Sequence, residues 1–118
     1  MTWIYHQYSG ELYHDDKLID RGYSGKGFHK NNPASESLHG LGPIPRGRYT
    51  IGSYTDSKGP LTIILEPSGG NQMYGRDAFR IHGDSKKEPG NASEGCIIVG
   101  RHARQEIVSS TDRELVVQ

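Results

Sequence analysis

The chain has 118 residues, a length for one domain with a modest core, and its fourteen Lys and Arg balance its fourteen Asp and Glu. With no net charge there is no summed field to hold a polyanion, which excludes nucleic acid as an expected partner. Only 32% of residues are hydrophobic and sixteen are glycine, so a thin core and much loop are expected, and no apolar run is long enough for membrane insertion.

In chain order, residues 3–8 and 11–14 are β-prone runs split by Ser9-Gly10, a hairpin pattern, and 17–20 adds a strand. Residues 21–42 gather Gly, Ser, Asn and Pro without apolar periodicity and read as a long loop. After Gly42-Pro43-Ile44-Pro45-Arg46-Gly47, residues 48–54 alternate as a strand and 61–66 form a more buried one. Residues 77–82 read as a strand ending on His82, and a polar loop leads to the apolar run 96–99. Residues 101–110 form an amphipathic helix with Ala103, Ile107 and Val108 inward, and 113–117 a last strand. The expected architecture is a single mostly β domain, 1–118, with one short helix near the C-terminus.

Cys96 is the lone cysteine, so no internal disulfide forms and its surroundings must explain it. A thiol attacks as thiolate and needs a base or cation nearby, for which His82, at the preceding strand end, is the candidate. Such a thiol is expected to alkylate faster than a buried one at neutral pH. Gly95 permits an unusual backbone angle and a close approach to substrate. By residue type alone, a cysteine ahead of Ile97-Ile98-Val99 is more often the first buried residue of a core strand, and His82 a half-buried structural side chain.

Ile81-His82-Gly83 followed by Ser93-Glu94-Gly95-Cys96-Ile97 resembles the signature of L,D-transpeptidase catalytic domains, which remodel peptidoglycan. The segment from Gly42 to Ile51 resembles their proline-x-glycine-x-aromatic stretch. With Tyr23-Ser24-Gly25 and Asn31-Asn32-Pro33, the chain is similar to the small L,D-transpeptidase-like toxins delivered by type VI secretion. Glu94 stands where that pattern has histidine, and Ile98 where an arginine often follows the cysteine.

The resemblance implies an L,D-transpeptidase-like β-sandwich or β-roll and an L,D-transpeptidase or L,D-carboxypeptidase that uses no cofactor and no metal. It makes Cys96 the nucleophile and His82 the base, held in one tautomer by a backbone carbonyl or by Ser93, with the N–H groups of Gly95 and Cys96 as oxyanion donors. The substrate is a tetrapeptide stem of peptidoglycan, attacked before its terminal D-alanine and released to water or to an acceptor amine. Tyr23, Ser24, Asp84 and Glu94 are expected near the substrate. Arg80 is favoured over Arg46, Arg48 and Arg76 as partner of a stem carboxylate, because it shares a strand face with His82. The implied partners are the secretion apparatus and a cognate immunity protein. The implied route runs from the cytoplasm, without a signal peptide, to the periplasm of a target cell.

Three other readings stand beside this one. A zinc site would draw on His82, Asp84, Cys96 and His102; a papain-like peptidase would need His102 as base; and a non-enzymatic cell-wall or carbohydrate-binding β-module would use the seven tyrosines as its contact surface.

Overall fold

The structure is a computed structural model and describes residues 2–118. β1 (Trp3–Tyr5) and β2 (Glu11–His14) form the expected hairpin, with Trp3 opposite His14 and Tyr5 opposite Leu12. The first strand stops at Tyr5 because the chain turns early, with Gly10 N–H donating to the His6 carbonyl at 2.8 Å and Gly10 at φ +75°. β3 (Lys17–Arg21) follows a two-residue turn in which Asp15 and Asp16 both take positive φ, 53° and 63°. That geometry matches the right-handed twist of a hairpin, and aspartate tolerates it better than most residues.

β4 (Tyr23–Ser24) opens the segment expected to be all loop. Then come β5 (Gly47–Thr55), β6 (Thr62–Pro67), β7 (Arg80–His82), β8 (Ile97–Ile98), α1 (Arg101–Ser109) and β9 (Glu114–Val117). The expected strand 77–82 contracts to its last three residues. The nine strands described form one sheet in the order β3-β2-β1-β9-β5-β6-β7-β8-β4. The first and last strands pair in parallel near its middle, as do β7 and β8.

The two edge strands of that order, β3 and β4, are separated in sequence by Gly22 alone. A sheet whose opposite edges lie one residue apart must curl on itself, and the result is a nearly closed roll. Gly22 passes so close to β8 that a Cβ on it would lie 1.7 Å from the Ile98 carbonyl oxygen. Across the same seam Gly100 N–H donates to Asp20 Oδ2 at 2.7 Å.

The roll encloses alternate strand residues: Trp3, Tyr5, Leu12, Tyr49, Ile51, Ile63, Leu65, Ile81, Ile97, Leu115 and Val117 are almost wholly buried. Helix α1 adds Ala103 and Ile107, as its periodicity predicts, but the third buried residue is Arg104 and not Val108.

Residues 25–46 are held down without forming sheet. Short 3-10 turns cover Gly27–His29 and Pro33–Ser35, the second capped by Asn32. The clamp is Glu36, whose carboxylate accepts from Gln7 Nε2, from the Arg46 backbone and guanidinium, and from Tyr74 O–H, at 2.9–3.2 Å. Burial pushes its pKa up, but the bonds from Arg46, Gln7 and Tyr74 outweigh this and leave it at about 2.

A depressed carboxyl pKa adds stability that is complete above the ordinary carboxylate range and lost as pH falls toward about 2. Glu36→Gln is expected to cost about 1–3 kcal/mol at neutral pH, because Arg46 loses its charged acceptor. It should also flatten the decline in stability between about pH 4.5 and pH 2. Denaturant unfolding at pH 7 and pH 3 checks both, and equal stability of the two proteins at pH 7 would count against the clamp.

Candidate active site

β7 ends on His82 and β8 begins immediately after Cys96. The parallel register pairs Ile81 with Ile97 and His82 with Ile98, which sets Cys96 abreast of Arg80. Side chains alternate across a strand, so Ile81 and Ile97 enter the core while Arg80, His82 and Cys96 share the other face. They line one cleft of about 520 Å³, together with Lys26, Lys58, Arg76, Asp77 and Glu94.

His82 is 5% exposed, and its Nδ1 lies 2.9 Å from the Gly83 carbonyl oxygen. A carbonyl only accepts, so Nδ1 carries the proton and Nε2 is left bare to act as base. Of the two tautomer holders expected from sequence, the carbonyl is the one in place. Burial lowers the His82 pKa, the Gly83 bond opposes this, and the charges of Lys58, Arg104 and Arg80 lower it further. The imidazole is therefore neutral at pH 7.

Cys96 departs from the sequence expectation. Burial pushes its thiol pKa up, and a hydrogen bond from the Arg80 backbone with the charges of Arg80 and Lys58 pulls against that without reversing it. With the thiol raised and the imidazole lowered, the resting pair is neutral thiol and neutral imidazole, not thiolate and imidazolium.

Ser93 corrects a second expectation. Its Oγ donates to the Cys96 carbonyl at 2.6 Å and accepts from Gly25 N–H at 2.8 Å and Gly95 N–H at 3.1 Å. It is fully buried and bonds backbone, not His82. Because Gly95 N–H is engaged by Ser93, it is not directed to an oxyanion, and only the Cys96 N–H remains of the expected pair. Ser24 is likewise internal: its Oγ donates to the Gly95 carbonyl and accepts from Ile44 N–H, both at 2.8 Å. Each hydroxyl thus uses its one donor and fixes the turn that presents Cys96.

Gly95 itself sits at φ +139°, where a Cβ would lie 2.5 Å from Arg76 Nη2 and 2.9 Å from the Phe79 ring. Arg76 is buried and donates to the carbonyls of Glu36, Pro43, Gly42 and Glu94 at 2.6–3.3 Å.

Tyr23 and Asp84 meet each other instead of Cys96. The Tyr23 hydroxyl donates to Asp84 Oδ1 and accepts from Ala92 N–H, and Asp84 also accepts from the backbone of Ser85 and Gly90. They tie loop 84–92 to β4, so Asp84 does not orient His82. Among the arginines, Arg46 pairs with Glu36 and Arg48 with Glu114, while Arg80 stays in the cleft with Glu94.

Sequence reasoning missed Lys58, which no motif marks, and weighed Arg76 as a partner of a stem carboxylate, whereas its guanidinium is taken by backbone carbonyls. It also missed Arg104, whose guanidinium donates to the carbonyls of Val99, Gly100, Pro60 and Leu61 and closes against Gly83.

The zinc set considered from sequence does not assemble, since His102 is exposed on α1 beside Glu106, 3.7 Å away. His14, Asp15 and Asp112 place ligand atoms within 4.8 Å of one another at the end of β2 and just before β9, with His14 bonded to Asp112 and stacked on Trp3. Among the described residues no helix is long and apolar enough to cross a membrane.

The family model of the Tlde1 domain matches residues 19–117, from β3 through β9 and across the whole cleft. The chain belongs to the Tlde1 domain family. A Tlde1 domain is a type VI secretion effector domain, which places this chain among proteins exported toward a target cell. No curated protein and no solved structure matches it.

In this Tlde1 domain, alkylation of Cys96 by iodoacetamide is expected to be slow at pH 7 and to rise with a midpoint above about 8.5, the value of an unperturbed thiol. A plateau already reached near neutrality would mean a preformed thiolate and would overturn the neutral pair.

Proposed function

We propose that this chain is a cysteine acyl-transferer of peptidoglycan stems, an L,D-transpeptidase or L,D-carboxypeptidase used as an antibacterial effector in the target periplasm. The observation that carries the reading is the shared cleft of Cys96 and His82, with Nδ1 of His82 committed to the Gly83 carbonyl. Family membership supports the effector role.

In the proposed reaction His82 Nε2 takes the Cys96 proton as Sγ bonds to the carbonyl carbon that precedes the terminal D-alanine. The Cys96 N–H faces the developing oxyanion. Collapse breaks the carbon–nitrogen bond, and the imidazolium returns its proton to the departing amine. Water, or an acceptor amine, then gives a proton to His82 and attacks the thioester, which restores the thiol. Water as acceptor makes the net reaction trimming; an amine makes it exchange or cross-linking. Because both groups are neutral at rest, proton transfer accompanies attack and does not precede it. A cognate immunity protein would protect the producing cell by covering this cleft.

Purified muropeptides are the test. Release of D-alanine by the wild type should fall by about a thousandfold or more in Cys96→Ala and in His82→Ala, as for other nucleophile–base pairs. The lowered His82 pKa keeps the base unprotonated into mildly acidic solution, so the acid limb of kcat/KM should have its midpoint below about 6.5. Turnover unchanged in both variants would sink the enzyme and leave the cell-wall-binding β-module.

A further inference from the structure

Arg76 is 7% exposed although it lies in a connection and not in a strand. The chain turns it inward between left-handed residues, with Tyr74, Gly75 and Ala78 at φ 58°, 73° and 62°. Tyrosine and alanine take that conformation only where the surroundings impose it. The guanidinium carbon lies 5.1 Å from the centroid of the Phe79 ring. Nη1 donates to the carbonyls of Glu36 and Pro43 at 2.6 and 2.8 Å, and Nη2 to those of Gly42 and Glu94 at 2.9 and 3.3 Å.

Those acceptors are all neutral. They satisfy the hydrogen bonds but leave a net buried charge, and among the described residues Arg76 enters no ion pair. Burial disfavours the charged guanidinium, and negative charge on Tyr49, Cys96 or Glu36 favours it. The Glu36 carboxylate is engaged by Arg46, Gln7 and Tyr74, and burial keeps the Tyr49 hydroxyl protonated. Of the three, Cys96 alone changes its charge when the site reacts.

The approach is close because residue 95 is glycine. A Cβ there would lie 2.5 Å from Arg76 Nη2, so the cation rests against the backbone one residue before Cys96. Arg76 and Cys96 line the same cleft. The other charged and titratable groups of that lining are Arg80 and His82 of β7, Lys58 of the β5–β6 connection, Glu94 of the turn, Lys26 and Asp77. Arg80 is only half-buried and Lys58 is exposed, so water screens Arg76 less than either.

We propose that Arg76 is a positioning residue with a fixed charge: it holds the Glu94–Gly95 peptide beside Cys96, and its guanidinium is the internal counter-charge for the anion that forms there during attack. Held by carbonyls in advance, it need not reorganise as that anion develops. Its bonds are to backbone, so it acts on the reaction through Cys96. Its part in turnover rests on the stem-peptide reading above; its action on the thiol does not.

The test is the pH dependence of Cys96 alkylation by iodoacetamide. An opposite charge lowers a thiol pKa, so Arg76→Met should move the midpoint up by about one unit, the low end for a nearby charge. Arg76→Lys keeps the charge and should recover most of that shift. Arg104→Met is the control, because it removes a guanidinium that is as buried and also held by carbonyls, but beside Gly83. It should raise the His82 pKa and leave the Cys96 midpoint in place. A midpoint unmoved in Arg76→Met, or moved as far by Arg104→Met, overturns the counter-charge.

On muropeptides Arg76→Met should lose about tenfold in kcat with KM nearly unchanged, and a loss confined to KM overturns the assignment. If the wild type turns over no muropeptide, only the peptide chemistry fails and alkylation still decides. One measurement leaves Arg76 intact, which covers variants that do not fold. The carbon NMR signal of Arg76 Cζ is followed against pH in the wild type and in Cys96→Ser. A shift that tracks thiol ionisation and vanishes in Cys96→Ser supports the pairing, and a signal indifferent to that ionisation overturns it.

Discussion

Everything at the site depends on the close passage of Gly22 beneath the Ile98 carbonyl. No side chain fits there, and only because none is present can the chain step from β3 on one edge of the sheet to β4 on the other. Closure sets β4 against β8, with Tyr23 opposite Ile98 and Ser24 opposite Ile97. From that pairing Ser24 reaches the Gly95 carbonyl and Ser93 reaches Gly25 N–H, so the turn carrying Cys96 is fastened from both sides by bonds that an open sheet would not make. The placement of Cys96 is thus a consequence of sheet curvature, and hydroxyls complete it.

The electrostatics follow from the same enclosure. Burial of Cys96 and His82 penalises the charged form of each, and the cations nearby favour thiolate while disfavouring imidazolium. The two reactive groups therefore respond to Lys58 and Arg80 in opposite ways as regards charge: one is helped to ionise, the other is kept neutral and basic only weakly.

The strands of the core were legible where burial leaves its period in the sequence, as in residues 48–54, and where β-prone runs stand together, as at 3–5, 11–14 and 114–117. The helix was legible for the same reason, apart from Arg104. β4 was not, since two residues show no period and its pairing is imposed by closure. Loop 25–46 lacked apolar periodicity because its order comes from Glu36, a polar clamp with partners at positions 7, 46 and 74. At the site, the family-like motif named Cys96, His82, Ser93 and Gly95, and the fold brings Cys96, His82 and Gly95 to one cleft. A motif conveys residue types but not the direction of a hydroxyl, and Ser93 points into the backbone of its own turn. Arg76 and Arg104 look like solvated surface in sequence, because a guanidinium satisfied by carbonyls leaves no acidic partner to read.

Those two arginines also explain why so small a domain holds a rigid site. A carbonyl cannot move a buried guanidinium's charge elsewhere by titrating, and four carbonyls around a planar fork tie separate stretches of backbone together, three for Arg76 and two for Arg104. Arg76 joins residues 36, 42, 43 and 94, which are the loop floor and the turn before Cys96. Arg104 joins residues 60, 61, 99 and 100 and closes on Gly83, next to the base. One arginine therefore braces the turn before Cys96, the other braces Gly83 beside His82 together with the β5–β6 connection. Helix α1 contributes Ala103 and Ile107 to the core, but its position in the chain, directly after β8, is what delivers Arg104 to the back of the cleft.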